Sequence, residues 1–136
     1  MRTLYILTIL MLTVLSLSGQ SKKKIRESEI QVKTTWKIDY IEGQEIKWKE
    51  KEETFTTSGE ISEYIEYDSD GSTKSHIKYT YSQDDNLLKE ISLNKKGALE
   101  QTIEYYYKGK LKTEKRTLNA KGQLISKKIF EYKAFK

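Results

Sequence analysis

From Phe55 to Leu111 most of the large apolar residues fall on odd-numbered positions and stay odd through several reversals of chain direction. They read Phe55; Ile61, Ile65, Tyr67; Ile77, Tyr79, Tyr81; Leu87, Ile91, Leu93; Leu99, Ile103, Tyr105, Tyr107; and Leu111. A period of two, broken by turn residues, predicts a run of half-buried strands. Upstream, Ile30, Val32, Thr34, Trp36, Ile38 and Tyr40 alternate with Gln31, Lys33, Thr35, Lys37 and Asp39, which is a further strand. Gly43 turns it into Gln44–Trp48, with Ile38 expected opposite Ile46 and Trp36 opposite Trp48. Lys49–Glu53 has no apolar face and reads as a solvated extension or bend. The last strand is apolar on both sides, with Leu124 and Phe130 on one parity and Ile125 and Ile129 on the other.

The turns between these strands repeat. Leu93-Asn94-Lys95-Lys96-Gly97-Ala98-Leu99 recurs 25 positions later as Leu118-Asn119-Ala120-Lys121-Gly122-Gln123-Leu124, and Ile77–Tyr81 echoes in Ile103–Tyr107 at an offset of 26. Self-similarity at such a period marks an array of one supersecondary unit. Asn94 and Asn119 suit the first position of a type I turn, with Gly97 and Gly122 at its last. A type I turn closed by a left-handed glycine is a three-residue hairpin loop. In it, the residue four before the glycine faces the residue two after. The rule pairs Phe55 with Ile61, Tyr67 with Thr73, Leu93 with Leu99, Tyr105 with Leu111 and Leu118 with Leu124. Between Gly71 and Gly97 the spacing doubles, and Asp84-Asp85-Asn86 supplies a turn of the same kind, Asn tolerating the left-handed region.

The expected fold is all-β, an antiparallel meander of about eight strands. A soluble monomer rarely exposes more than a few hundred Å² of contiguous apolar surface, so the odd face needs a cover. The N-terminal hairpin is the only spare apolar surface of comparable size. The sheet is therefore expected to curl into a two-layer or barrel-like body, with both indoles buried and the even face, including His76, in water. Under the same register Lys74 faces Glu66, Lys112 faces Glu104 and Arg116 faces Glu100.

Residues 1–19 read as a signal peptide: Arg2, then an apolar run over Leu4–Leu17, then small residues at Ser16-Leu17-Ser18. The run is short for a membrane span, so no stable span is expected after cleavage. Residues 20–29, with Ser21-Lys22-Lys23-Lys24, form a flexible basic start, and 30–136 a single domain. Without Arg2 the chain keeps 24 basic against 20 acidic residues. The excess is spread among carboxylates, so no nucleic-acid stripe emerges. There is no cysteine and one histidine, which excludes disulfides and leaves no ligand set for a structural zinc.

Tyr64-Ile65-Glu66-Tyr67-Asp68-Ser69-Asp70-Gly71 resembles the Tyr-Asp-x-x-Gly core of YD repeats, the RHS-type family. Tyr79/Tyr81 and Tyr105/Tyr107 at strand ends, and Gly97-Leu99, Gly109-Leu111 and Gly122-Leu124 at strand starts, are similar to it too. The likeness spans about 55–132. It implies a β-meander; the toxin-enclosing shell of large RHS proteins needs many more repeats than this chain has.

Little points to catalysis. His76 has no second histidine or cysteine to work with. Asp68/Asp70 and Asp84/Asp85 sit at turns, where aspartate serves the backbone, and Glu66–Gly71 imitates a calcium loop only in part, with Ile77 where the bidentate glutamate belongs. No catalytic residue, metal site or cofactor is expected. The enrichment worth following is tyrosine, ten in the chain, because its rings combine a large apolar body with a polar tip. Tyr79, Tyr81, Tyr105 and Tyr107, with Trp36 and Trp48, are the candidate ligand-binding residues. The expectation is an exported, non-enzymatic binding module in the periplasm, at the cell surface or outside the cell, with a glycan or an envelope protein as partner. A self-associating structural repeat protein is the alternative, and a hydrolase using turn carboxylates a third reading.

Overall fold

The computed structural model describes residues 18–136; the expected signal segment 1–19 lies almost wholly outside them. One helix, α1 (Ser18–Glu27), precedes eight strands: β1 (Val32–Ile41), β2 (Gln44–Phe55), β3 (Ile61–Tyr67), β4 (Thr73–Tyr81), β5 (Leu87–Leu93), β6 (Leu99–Lys108), β7 (Leu111–Asn119) and β8 (Leu124–Ile129). All strands join one antiparallel sheet in chain order, β1 to β8. The eight-strand meander predicted from periodicity is the fold.

Five loops share one geometry. In each, the residue three before the turn's left-handed position exchanges backbone bonds around it. Thus Asn94 N donates to Ala98 O at 2.8 Å and Gly97 N to Asn94 O at 2.9 Å, and the same pair of bonds recurs at Thr56, Asp68, Ser82 and Asn119. The fourth loop along the chain, between β4 and β5, has no glycine. Asp85 takes its place at φ 58°, one residue before the asparagine expected to do so. The Asx and Ser/Thr side chains that open these loops also cap them: Asn94 Oδ1 accepts from Lys96 N and Ala98 N, and Asn119 Oδ1 from Lys121 N and Gln123 N. Asp70 Oδ1 likewise accepts from Ser72 N, and Asp68 Oδ2 accepts from the Ser72 hydroxyl.

Two predicted loops differ. At Gly43 the turn has two residues, Glu42 (φ 50°) and Gly43 (φ 78°), both left-handed as a type I′ turn requires. At Gly109 the turn is also two residues, with glycine in the first central position, the type II′ pattern. Register changes accordingly. Tyr105 faces Lys115 rather than Leu111, which pairs with Lys108. Trp36 faces Lys49, Trp48 faces Lys37, and Ile38 faces Lys47. Trp36 and Trp48 therefore point to opposite faces.

The other predicted contacts hold at the hairpin mouths: Phe55–Ile61, Tyr67–Thr73, Leu93–Leu99 and Leu118–Leu124 are directly opposed, as is Tyr81–Leu87. Immediately beyond each of these pairs the register shifts by one. The unpaired residue stands three after the left-handed position every time: Ser62, Lys74, Leu88, Glu100 and Ile125. A one-residue shift moves the rest of the strand's side chains to the other side of the sheet relative to its neighbour's. Odd parity therefore does not mean one face. Tyr79 opposes Glu90, Glu90 opposes Ile103, and Ile77 opposes Ser92. These residues, with Tyr81, Tyr105 and Tyr107, form a tyrosine face. Ile91 opposes Thr102, and Thr102 opposes Leu118. With Leu93, Leu99 and Leu124, they form a leucine face on the reverse. His76 sits there, opposite Ile65 and Leu93.

Splitting the apolar residues between two faces removes the single stripe that would have demanded a second layer. The sheet is not closed, and the two-layer or barrel-like body is not found. Among the described residues no hydrophobic side chain is buried, and Trp36 is 53% exposed. Of the three expected ion pairs only Lys74–Glu66 forms, at 2.6 Å; Lys112 opposes Tyr107, and Arg116 opposes Glu104.

Most of the basic start expected to be flexible, residues 20–29, is α1. It ends in a Schellman pattern, with Ile30 N donating to Ile25 O and Glu29 at φ 54°. The helix lies on the β2–β3 loop, where Gly59 is the one described residue that is buried, and Lys22 pairs with Glu60. A Cβ on Gly59 would stand 2.7 Å from the Lys22 carbonyl oxygen, whereas one on Gly71 would meet nothing within 4 Å.

Gly71→Ala should cost about 1–2 kcal/mol, the left-handed penalty alone, and Gly59→Ala clearly more, because α1 must also move; urea unfolding separates them. Trp36→Ala should cost under about 1 kcal/mol, an exposed substitution, where a core indole would cost about 3–5.

Candidate binding face

The tyrosine face is built by a repeated latch. Tyr81 Oη donates to Ile61 O at 2.7 Å, Tyr107 Oη to Leu87 O at 2.7 Å, and Tyr132 Oη to Lys112 O at 2.6 Å, each spanning twenty residues. Each latch ties the end of β4, the end of β6 or the segment just past β8 to the start of the preceding strand, and so closes the open end, away from the turn, of hairpins β3–β4, β5–β6 and β7–β8. The sequence signal for the first two is the Tyr-x-Tyr strand end, whose second tyrosine is the latch; the third stands in Phe130-Glu131-Tyr132. The first tyrosine of the pair lies on the same face, and Tyr105 Oη donates to Glu90 Oε1 at 2.8 Å.

Of the candidate residues, Tyr79 and Tyr81 on β4 and Tyr105 and Tyr107 on β6 are therefore gathered on one face, half-buried, on either side of β5. Trp48 shares that face but belongs to the N-terminal hairpin, under Lys37, whose Nζ lies 5.2 Å from its ring centroid. Trp36 is on the reverse face, beneath Lys47 at 5.0 Å. Periodicity alone missed Tyr64, which lies beside these rings opposite Ile77. It also missed Lys112 and Lys115, whose Nζ atoms lie 4.2 and 5.8 Å from the Tyr105 centroid. Only the bulge at Tyr106/Tyr107 brings both lysines to that ring.

His76 is not solvated as expected. It is half-buried, with Nε2 2.6 Å from Glu63 Oε1. A groove between α1 and the start of the sheet is lined by Ile25, Arg26, Glu29, Ile30, Phe55 and Thr56, without a pair of convergent carboxylates. Among the described residues no three His, Asp or Glu side chains are grouped to hold a metal ion, and no helix is long and apolar enough to cross a membrane.

Burial raises the phenols of the tyrosine face. Tyr64 is pushed up to about 12, first by desolvation and then by the charges of Glu66 and Glu53. Desolvation is also the leading cause at Tyr79, Tyr81, Tyr105 and Tyr107, all raised; the Glu90 hydrogen bond adds to it at Tyr105. No protein-family model matches the chain, and no match is found among curated proteins or among solved structures. The likeness to YD repeats rests on Tyr64–Gly71, the Tyr-x-Tyr strand ends and the Gly-x-Leu strand starts alone.

The raised phenols set an alkaline limit. A group with its folded-state pKa above the unfolded value, near 10 for tyrosine, adds stability that is complete below that value. It is lost as pH climbs through the folded one. Melting temperature should therefore hold to about pH 10 and fall by about pH 12, with phenolate absorbance rising as the sheet unfolds. Titration of these tyrosines near 10 in an intact sheet would contradict their burial.

Proposed function

We propose that the chain is an exported, non-enzymatic binding module of the bacterial envelope, with the tyrosine face as its ligand surface and a glycan or envelope protein as its class of partner. The observation that carries this reading is the absence of any buried hydrophobic side chain among the described residues, combined with aromatic rings gathered on one face of β3, β4 and β6. Soluble monomers keep such surfaces small unless something covers them. Tyrosine suits a face that must be wetted and then occupied, since its ring packs while its hydroxyl stays bonded. The signal-like start supports export. Turn carboxylates committed to their own loop, as Asp68 and Asp70 are through the hydroxyl and backbone of Ser72, argue against a hydrolase.

One observation favours a second reading, self-association. On the reverse face Leu99, Leu111 and Leu124 are 41%, 51% and 53% exposed, and a second copy laid on that face would cover them.

A glycan and peptide array, run beside light scattering across concentrations, separates the two. Binding that is lost in Tyr79→Ala and Tyr105→Ala supports the first reading. Concentration-dependent dimers abolished by Leu99→Lys, with no ligand on the array, would replace it with the second.

A further inference from the structure

Charges on this sheet are answered across strands where they crowd. On the leucine face Arg116 and Lys127 are directly opposed, a like-charge arrangement that costs stability. Both nevertheless reach Glu114, whose carboxylate bonds Arg116 Nε and lies 3.3 Å from Lys127 Nζ. The same hairpin repeats the opposition on the tyrosine face, where Lys115 faces Lys128. There no carboxylate intervenes. Among the described residues neither lysine forms an ion pair within 4.0 Å, and neither does Lys112. Lys112 and Lys115 instead hold their ammonium groups 4.2 and 5.8 Å from one ring centroid, that of Tyr105, so they lie within 10.0 Å of each other.

Lys128 alone would be unremarkable, since lysine on an outer strand discourages edge-to-edge pairing. That account does not reach Lys112 and Lys115. They stand on β7, which is hydrogen-bonded on both sides, and they face the aromatic surface.

We infer that the tyrosine face takes an anionic polysaccharide, a sugar chain bearing carboxylate or sulfate groups, along the row Tyr105–Lys115–Lys128 with Lys112 beside it. This inference rests on the reading that the tyrosine face binds a glycan. The row crosses three strands at about 4.8 Å each, so a linear polymer lies across the strands. Its anions supply the counter-charge that Lys115 and Lys128 lack, and its apolar ring faces meet the Tyr105 and Tyr107 side chains. An acidic polypeptide fits less well. On a sheet face, unlike an edge, there are no free backbone groups to pair with its own. A nucleic acid draws its affinity from neutralising many phosphates, and three cations are few for that.

The test measures binding of the protein to polygalacturonate, chondroitin sulfate, neutral dextran, polyglutamate and a single-stranded oligonucleotide, at low and high salt. The expected result is salt-sensitive binding of an acidic polysaccharide, weakened about tenfold or more in Lys115→Gln/Lys128→Gln and again in Lys112→Gln. A turn control with the same charge change, Lys96→Gln/Lys121→Gln, should barely matter. The double variant should melt no lower than the wild type, because a repulsion is relieved. A lower melting temperature would make these lysines structural and overturn the inference. So would equal losses in the turn control, or equal binding of polyglutamate or the oligonucleotide. Binding of dextran alone would overturn it while leaving the glycan-face reading intact; binding of no sugar polymer would sink both.

Discussion

Everything in this sheet depends on one backbone constraint, the left-handed residue that closes each three-residue loop. At Gly59, Gly71, Asp85, Gly97 and Gly122 it fixes which two residues meet at the hairpin mouth. Three residues further on comes the bulge that sets the register of the strand bodies. A turn and a bulge together do more than either alone. The turn makes neighbours of Leu93 and Leu99, and the bulge then sends Ile103 and Ile91 to opposite faces. Five repetitions of that step distribute the apolar residues over both sides.

That distribution explains how the sheet stands without a buried core. Each face is half apolar and half polar, and no continuous stripe demands a second layer. Its hold comes from the backbone ladder and from cross-strand pairs worth about 0.2–1 kcal/mol each. The tyrosine latches add to these, their hydroxyls bonded to carbonyls at the open ends of the β3–β4, β5–β6 and β7–β8 hairpins. Residues such as Tyr79 and Tyr105 serve two ends. Their rings screen the ladder from water, and they leave a surface that a ligand can cover.

The hairpins were legible because turn chemistry is local. Asn, Asp and Gly at fixed offsets specify the three-residue loop, and four of the five mouth contacts inferred from glycine positions are present. Gly43 and Gly109 were not legible, since a glycine marks a left-handed position without saying whether the loop has two residues or three; Glu42 in the left-handed region decided the first. The bulges left no mark in composition. Ser62, Lys74, Leu88, Glu100 and Ile125 share only their distance from the turn, so the even-odd pattern persisted in the chain while the faces exchanged. For the candidate site the consequence was mixed. The four tyrosines stayed together because two register shifts, at Leu88 and Glu100, lie between the Tyr-x-Tyr pairs and cancel. Trp36 and Trp48 parted because their loop was one residue shorter than expected, and Lys112, expected against Glu104, and Lys115 were not site candidates because their place on Tyr105 is made by a bulge.

The same device that removes the need for a core also creates the surface on which the functional reading rests. A sheet with one apolar face would be obliged to bury it, and its tyrosines would be spent on packing. Here the register shifts leave the rings half-buried on an open face, flanked at one end by cations that the charge pairing elsewhere would have answered. Lys115 opposite Lys128 is a cost that folding alone does not explain, and Glu114 shows, on the reverse of the same hairpin, how one carboxylate would have removed it. The position of that missing carboxylate, beside Tyr105, is where a ligand's negative charge would relieve the repulsion and gain a ring to pack against in one contact.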